Sequence, residues 1–164
     1  MKTKILTILT TIILFTSCRS QTAEPVSLAN YPNFYNQTVT RLNNIIQNKT
    51  NYYGQPLSLF IQALTQNNLV IKAYDAGPFN NKLLKLIFIN DSESIANIWR
   101  NNYVEPQIKI IFQQPYDFQQ ATTIMNQYHW YWNTTSEDFY KNLIIEKIEF
   151  CYVNGITDKS SPPK

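Results

Sequence analysis

The sequence predicts an α+β domain of two layers: an about four-stranded, partly mixed antiparallel sheet with helices packed on one face. Three observations point there. Apolar residues recur at helical steps in several segments and alternate at strand steps in others. The strand-like segments each carry one strongly apolar face, which calls for helices on that side. The 164 residues, less an N-terminal export segment, suffice for one hydrophobic core, and a single domain is placed at residues 31–157.

From Tyr31 onward, Tyr35, Val39, Leu42 and Ile46 fall on one helix face, with Pro32 in the first turn, where its missing N–H costs little. Gly54-Gln55-Pro56 breaks the chain, and Leu57, Phe60, Ile61 and Leu64 make a second amphipathic helix that Asn67-Asn68 ends. LVIKAY at Leu69–Tyr74 and KLLKLIFIN at Lys82–Asn90 read as strands. The turn formers Asp75-Ala76-Gly77-Pro78 between them predict a hairpin. Asn90-Asp91-Ser92 offers N-caps for a helix carrying Ile95, Ile98 and Trp99.

Pro106 precedes QIKIIFQQ, where Ile108, Ile110 and Phe112 alternate with Lys109, Ile111 and Gln113 as in a half-buried strand, and Pro115 stops it. Phe118, Thr122, Met125 and Tyr128 or His129 suggest another helix. Thr135-Ser136-Glu137-Asp138 reads as an N-cap with acidic first-turn residues. IIEKIEFCYV at Ile144–Val153 is the last strand, closed by the turn pair Asn154-Gly155. Residues 158–164 are expected to be a disordered tail.

The leader MKTKILTILTTIILFTSC has Lys2 and Lys4, an uncharged apolar run from Ile5 to Phe15, then Thr16 and Ser17, which is the order of an export signal at residues 1–17. The apolar run is shorter than the ~20 residues that span a bilayer. Phe15-Thr16-Ser17-Cys18 is similar to a bacterial lipobox, with Phe15 where Leu is commoner and Ser17 where Gly or Ala is commoner. Cys18 is therefore expected to be lipidated and to hold the protein on a membrane of the cell envelope. Residues 18–30 are then a polar tether. Cleavage between Ser20 and Gln21 would instead release a soluble exported protein.

FTSC, the richness in Asn, Ile, Lys and Tyr, and the phrase NYYGQPLSLFIQAL followed by strands resemble small uncharacterised exported lipoproteins of Bacteroidota. That resemblance implies a lipid anchor and carries no catalytic residues.

Several function classes are disfavoured. Of 14 basic residues, Lys2 and Lys4 leave with the signal, so 12 face 11 acidic ones; nucleic acid wants a large, clustered basic excess. His129 is the single histidine, and Cys151 the one thiol left once Cys18 is acylated, so no zinc ligand spacing exists. Cys151 shares strand phase with Ile145 and Val153, which predicts a packed thiol rather than a nucleophile paired with His129. Glu137 and Asp138 are explained by capping, and three glycines leave no phosphate cradle. No enzyme, metal or cofactor is implied. The Asn-x-Ser/Thr matches at Asn36, Asn48, Asn90 and Asn133 are read as chance in an Asn-rich chain.

Tyr128-His129-Trp130-Tyr131-Trp132 is the unusual concentration of side chains. Five consecutive large rings cannot all face one core on a helix or a strand. Trp132 is expected in the core, and Tyr128, Trp130 and Tyr131 are the candidate binding residues. Two occupants follow: an envelope protein partner in a non-catalytic binding or assembly role, or a small ligand or glycan stacked on the rings.

Overall fold

The computed structural model describes residues 25–77 and 81–164. The expected signal peptide, the lipidation site Cys18 and the tether up to residue 24 lie outside the described residues, as do residues 78–80 of the hairpin connection. Helix α1 is Tyr31–Ile46, a 3-10 turn follows at Lys49–Tyr52, and α2 is Leu57–Gln66. Strands β1 at Ala73–Asp75 and β2 at Leu83–Ile87 form the hairpin, each shorter than the apolar runs suggest. Then come α3 at Ser92–Arg100, β3 at Gln107–Phe112, α4 at Phe118–Gln127, α5 at Thr134–Tyr140 and β4 at Ile145–Cys151. No helix among the described residues is long and apolar enough to cross a membrane.

The architecture is α+β, with the four strands in the order β1-β2-β3-β4. All three pairings are antiparallel, so the mixed component expected of the sheet is absent among the described residues. Helix α3 between β2 and β3, and α4 and α5 between β3 and β4, each return the chain to the end of the sheet from which the next strand runs back.

Side-chain caps explain where α3, α4 and α5 begin. Asp91 accepts from the Ser94 amide and Asp117 from the Gln120 amide. Helix α5 starts earlier than the acidic pair suggests: Asn133 accepts from the Thr135 and Ser136 amides while Ser136 Oγ accepts from the Asn133 amide, a reciprocal capping box. On α4 the buried side chains are Ala121, Ile124 and Met125, and Thr122 instead turns its hydroxyl to the Phe118 carbonyl.

Leu84 and Leu86 of β2, Ile108, Ile110 and Phe112 of β3, and Ile148 and Phe150 of β4 make one sheet face. It packs against Leu42 and Ile45 of α1, Phe60 and Leu64 of α2, Met125 of α4 and Tyr140 of α5. A second cluster at the end of the sheet joins Tyr31 and Tyr35 of α1 to Ile98 of α3, Ile89 and Val104. The opposite sheet face carries the Asp75–Lys85 ion pair at 3.1 Å, and in register with Lys85 lie Lys109 and Glu149.

Cys151 is buried, but not on the face of Ile145. Between β3 and β4 the register shifts: Phe112 opposes Ile145 whereas Ile111 opposes Lys147, so Glu146 is an extra residue in the strand. That bulge puts Ile145 in the core beside Ile148 and Phe150 and leaves Cys151, opposite Gln107, on the other face.

The ends of the chain bind the domain more closely than expected. Val26, assigned to the tether, donates its amide to Ser94 Oγ at 3.0 Å and packs on the second cluster. In the segment expected to be a disordered tail, Asp158 accepts from the Ser160 and Ser161 amides, and Lys164 exchanges two backbone hydrogen bonds of 3.0 Å with Phe150. With the Gly54–Ile145 and Ile145–Gln55 bonds of 2.7 and 2.9 Å, Lys164 helps cover the outer edge of β4.

Candidate functional site

The aromatic segment is neither helix nor regular strand. Helix α4 ends at Gln127, and the Trp130 amide reaches back to the Met125 carbonyl at 2.9 Å. His129 and Trp130 both take left-handed backbone angles, with φ of 52° and 68°. For a bulky L-residue such a conformation costs of order 1–2 kcal/mol, and here two stand in succession. The turn they make brings the chain back along the outer edge of β1. There Trp130 accepts from the Tyr74 amide at 3.0 Å, Trp132 donates to Lys72 at 3.1 Å, and Tyr131 bridges Ala73 antiparallel.

This geometry separates two rings that a regular strand would put on one face. Trp132 turns inward, edge-on to Tyr74 with centroids 5.5 Å apart and stacked on Tyr140 at 6.2 Å. Trp130 turns outward and remains 49% exposed. Tyr128 and Tyr131 are half-buried, and the Tyr128 hydroxyl accepts from Thr135 Oγ1 at 3.3 Å.

Trp130 forms a wall shared by two clefts. One, of about 300 Å3, lies toward α3 and is bounded by Ala73, Ile87, Ile95, Asn90, Ser92 and His129. The other, of about 260 Å3, lies toward α4 and is bounded by Ala76, Gly77, Phe118, Met125, Thr122 and Asp75. Both are lined chiefly by apolar atoms, with the polar side chains of Asn90, Ser92 and His129 in the first and of Asp75 and Thr122 in the second. A larger cleft of about 430 Å3 sits on the far side of Trp132, between α2, the 68–71 segment and α5, and has no exposed aromatic ring.

The other sequence candidates are not brought together. His129 lies beyond β1 and Cys151 is on β4, at opposite ends of the strand order. At ~4.8 Å per strand they are too far apart to act as nucleophile and base. Burial raises the Cys151 thiol above its ordinary value, which further disfavours the thiolate. Asp138 is held by Lys141 at 2.7 Å on the surface of α5. Among the described residues no group of three His, Cys, Asp or Glu side chains could hold a metal ion.

Sequence reasoning found the aromatic run but not the far walls of its clefts, Ile87, Ile95 and Phe118, which arrive from three separate elements. It also missed Glu105, a carboxylate only 2% exposed, for which the pattern Val104-Glu105-Pro106 gave no sign of burial.

Comparison with protein-family models, with curated proteins and with solved structures finds no match to the chain. The reading of the site therefore rests on its own geometry.

Proposed function

We propose that the protein is an exported, lipid-anchored, non-catalytic binding protein of the cell envelope, which captures a protein partner at the Trp130 wall. The observation that carries this reading is a half-exposed Trp130 on left-handed backbone between two apolar clefts. Strain and exposed apolar area both cost stability, and sites that keep both tend to be functional. Clefts of this size accept single aliphatic or aromatic side chains, and tryptophan is enriched among the anchors of protein interfaces. A sugar stacked on Trp130 would want several hydrogen-bonding groups around the ring, and these walls offer mainly apolar ones. Export and anchoring are supported by Lys2, Lys4, the apolar run Ile5–Phe15 and FTSC.

The test replaces exposed His129 by a photo-crosslinking amino acid in the native host and irradiates whole cells. The expected result is an adduct to one protein that disappears on Trp130→Ala. A protein adduct unchanged by Trp130→Ala, or adducts to glycan alone, would overturn the reading.

A further inference from the structure

The loop between α3 and β3 buries an acid that the binding site does not use. Glu105 is 2% exposed. Its Oε2 accepts from Gln107 Nε2 at 3.3 Å, and among the described residues no group donates to Oε1. The neighbouring residue, Val104, is a structural junction: its amide donates to the Ile156 carbonyl at 2.8 Å, its carbonyl accepts from the Tyr31 hydroxyl, and its side chain fills the second cluster. Tyr31 is the first residue of α1, and Val26 just before it is tied to Ser94 of α3. The N-terminal strap of the domain thus closes onto the loop that holds Glu105.

The groups that face this carboxyl are Tyr31 from α1, Lys85 from β2 and Gln107 from β3. Lys85 is committed to Asp75 at 3.1 Å, and the Tyr31 hydroxyl to Val104. Helix α3 carries Glu93 and Arg100, both exposed, and the segment after β4 carries Asp158, held by Ser160 and Ser161, and Lys159, which reaches Asn102. A neutral carboxyl fits this setting, whereas an ionised one leaves a buried charge with one lone donor.

We propose that Glu105 is a proton-operated latch: neutral, it lets residues 103–107 close over the end of the sheet and hold α1 through Tyr31; ionised, it draws the loop toward water and frees Tyr31 and the strap ahead of it. Burial pushes the acid up to about 7, against 4.5 for the free side chain, so the latch opens as pH rises through neutrality. The rest of the sheet, which carries no comparable buried acid among the described residues, stays closed.

Hydrogen exchange of the mature protein, measured by mass spectrometry at pH 5.5, 7 and 8.5 and corrected for chemical exchange, tests this. Peptides covering residues 25–35 and 103–107 should lose protection by about tenfold per pH unit between pH 5.5 and 7 and little more from 7 to 8.5, while β3–β4 core peptides hold theirs. Glu105→Gln should abolish the pH dependence and keep the strap protected throughout. Identical pH profiles in wild type and Glu105→Gln would overturn the latch. If the variant does not fold, the 13C signal of the wild-type Glu105 carboxyl decides: titration near 7 supports the proposal, and titration in the ordinary carboxylate range overturns it.

Discussion

Trp130 and Trp132, two positions apart, point in opposite directions, one outward and 49% exposed, the other into the core and 8% exposed. The left-handed turn at His129 and Trp130 separates them. Their substitution should therefore divide stability from binding. Trp132→Ala removes a ring packed on Tyr74 and Tyr140 and should cost ~3–5 kcal/mol in urea denaturation. Trp130→Ala should leave folding nearly intact and weaken partner capture. Acrylamide quenching of single-Trp variants reports the difference directly, and equal protection of the two indoles would contradict it.

Backbone strain at Trp130 can be isolated by comparing two truncations. Trp130→Ala and Trp130→Gly both delete the ring, but only glycine is at ease with φ near 68°. The glycine variant should be the more stable of the pair by about 1 kcal/mol, seen as a higher urea midpoint. An alanine variant at least as stable would show that the turn is unstrained.

Stability should depend on pH through Glu105. Between 4.5 and about 7 the folded state keeps a proton that the unfolded chain has lost. This contribution is full below 4.5, falls as pH rises and is gone above about 7. The wild type should lose stability from pH 5 to 8. Glu105→Gln should flatten that slope and be the more stable protein at pH 8 by roughly 3 kcal/mol. Chemical denaturation at fixed ionic strength checks both.

Cys151 should react slowly. It is 5% exposed and its thiol is raised by burial. Labelling of the native protein by a membrane-impermeant maleimide should await unfolding, and Cys151→Ala should cost about 1 kcal/mol. Rapid native labelling would place the thiol at the surface.

Lipidation at Cys18 predicts that Cys18→Ser moves the protein from the membrane to the soluble fraction, because acyl chains contribute ~0.8 kcal/mol per buried methylene. Recovery of wild-type protein beginning at Gln21 would exclude the anchor.

Much of the fold was legible because its signals are local. The alternation of Ile108, Ile110 and Phe112 and the cap at Asp91 are properties of a few neighbouring residues. What escaped depends on partners far along the chain. The face of Cys151 is decided by one extra residue, Glu146, against β3, and nothing in IIEKIEFCYV marks it. The burial of Glu105 depends on α1 and on the segment at Ile156. At the site, five rings in a row announced that some must face outward, but the direction of each was set by two φ angles and by β1, which pairs with Tyr131.

The left-handed pair at His129 and Trp130 also makes a statement about selection. Glycine or asparagine would suit the backbone at both positions, so random drift under pressure for stability alone should erode the tryptophan first. Relatives that still use this surface should keep a large ring at position 130 against that drift, while those that have lost the partner should collect glycine there. On the proposed binding role, the turn would record, in its choice between comfort and a ring, whether the site is still in use.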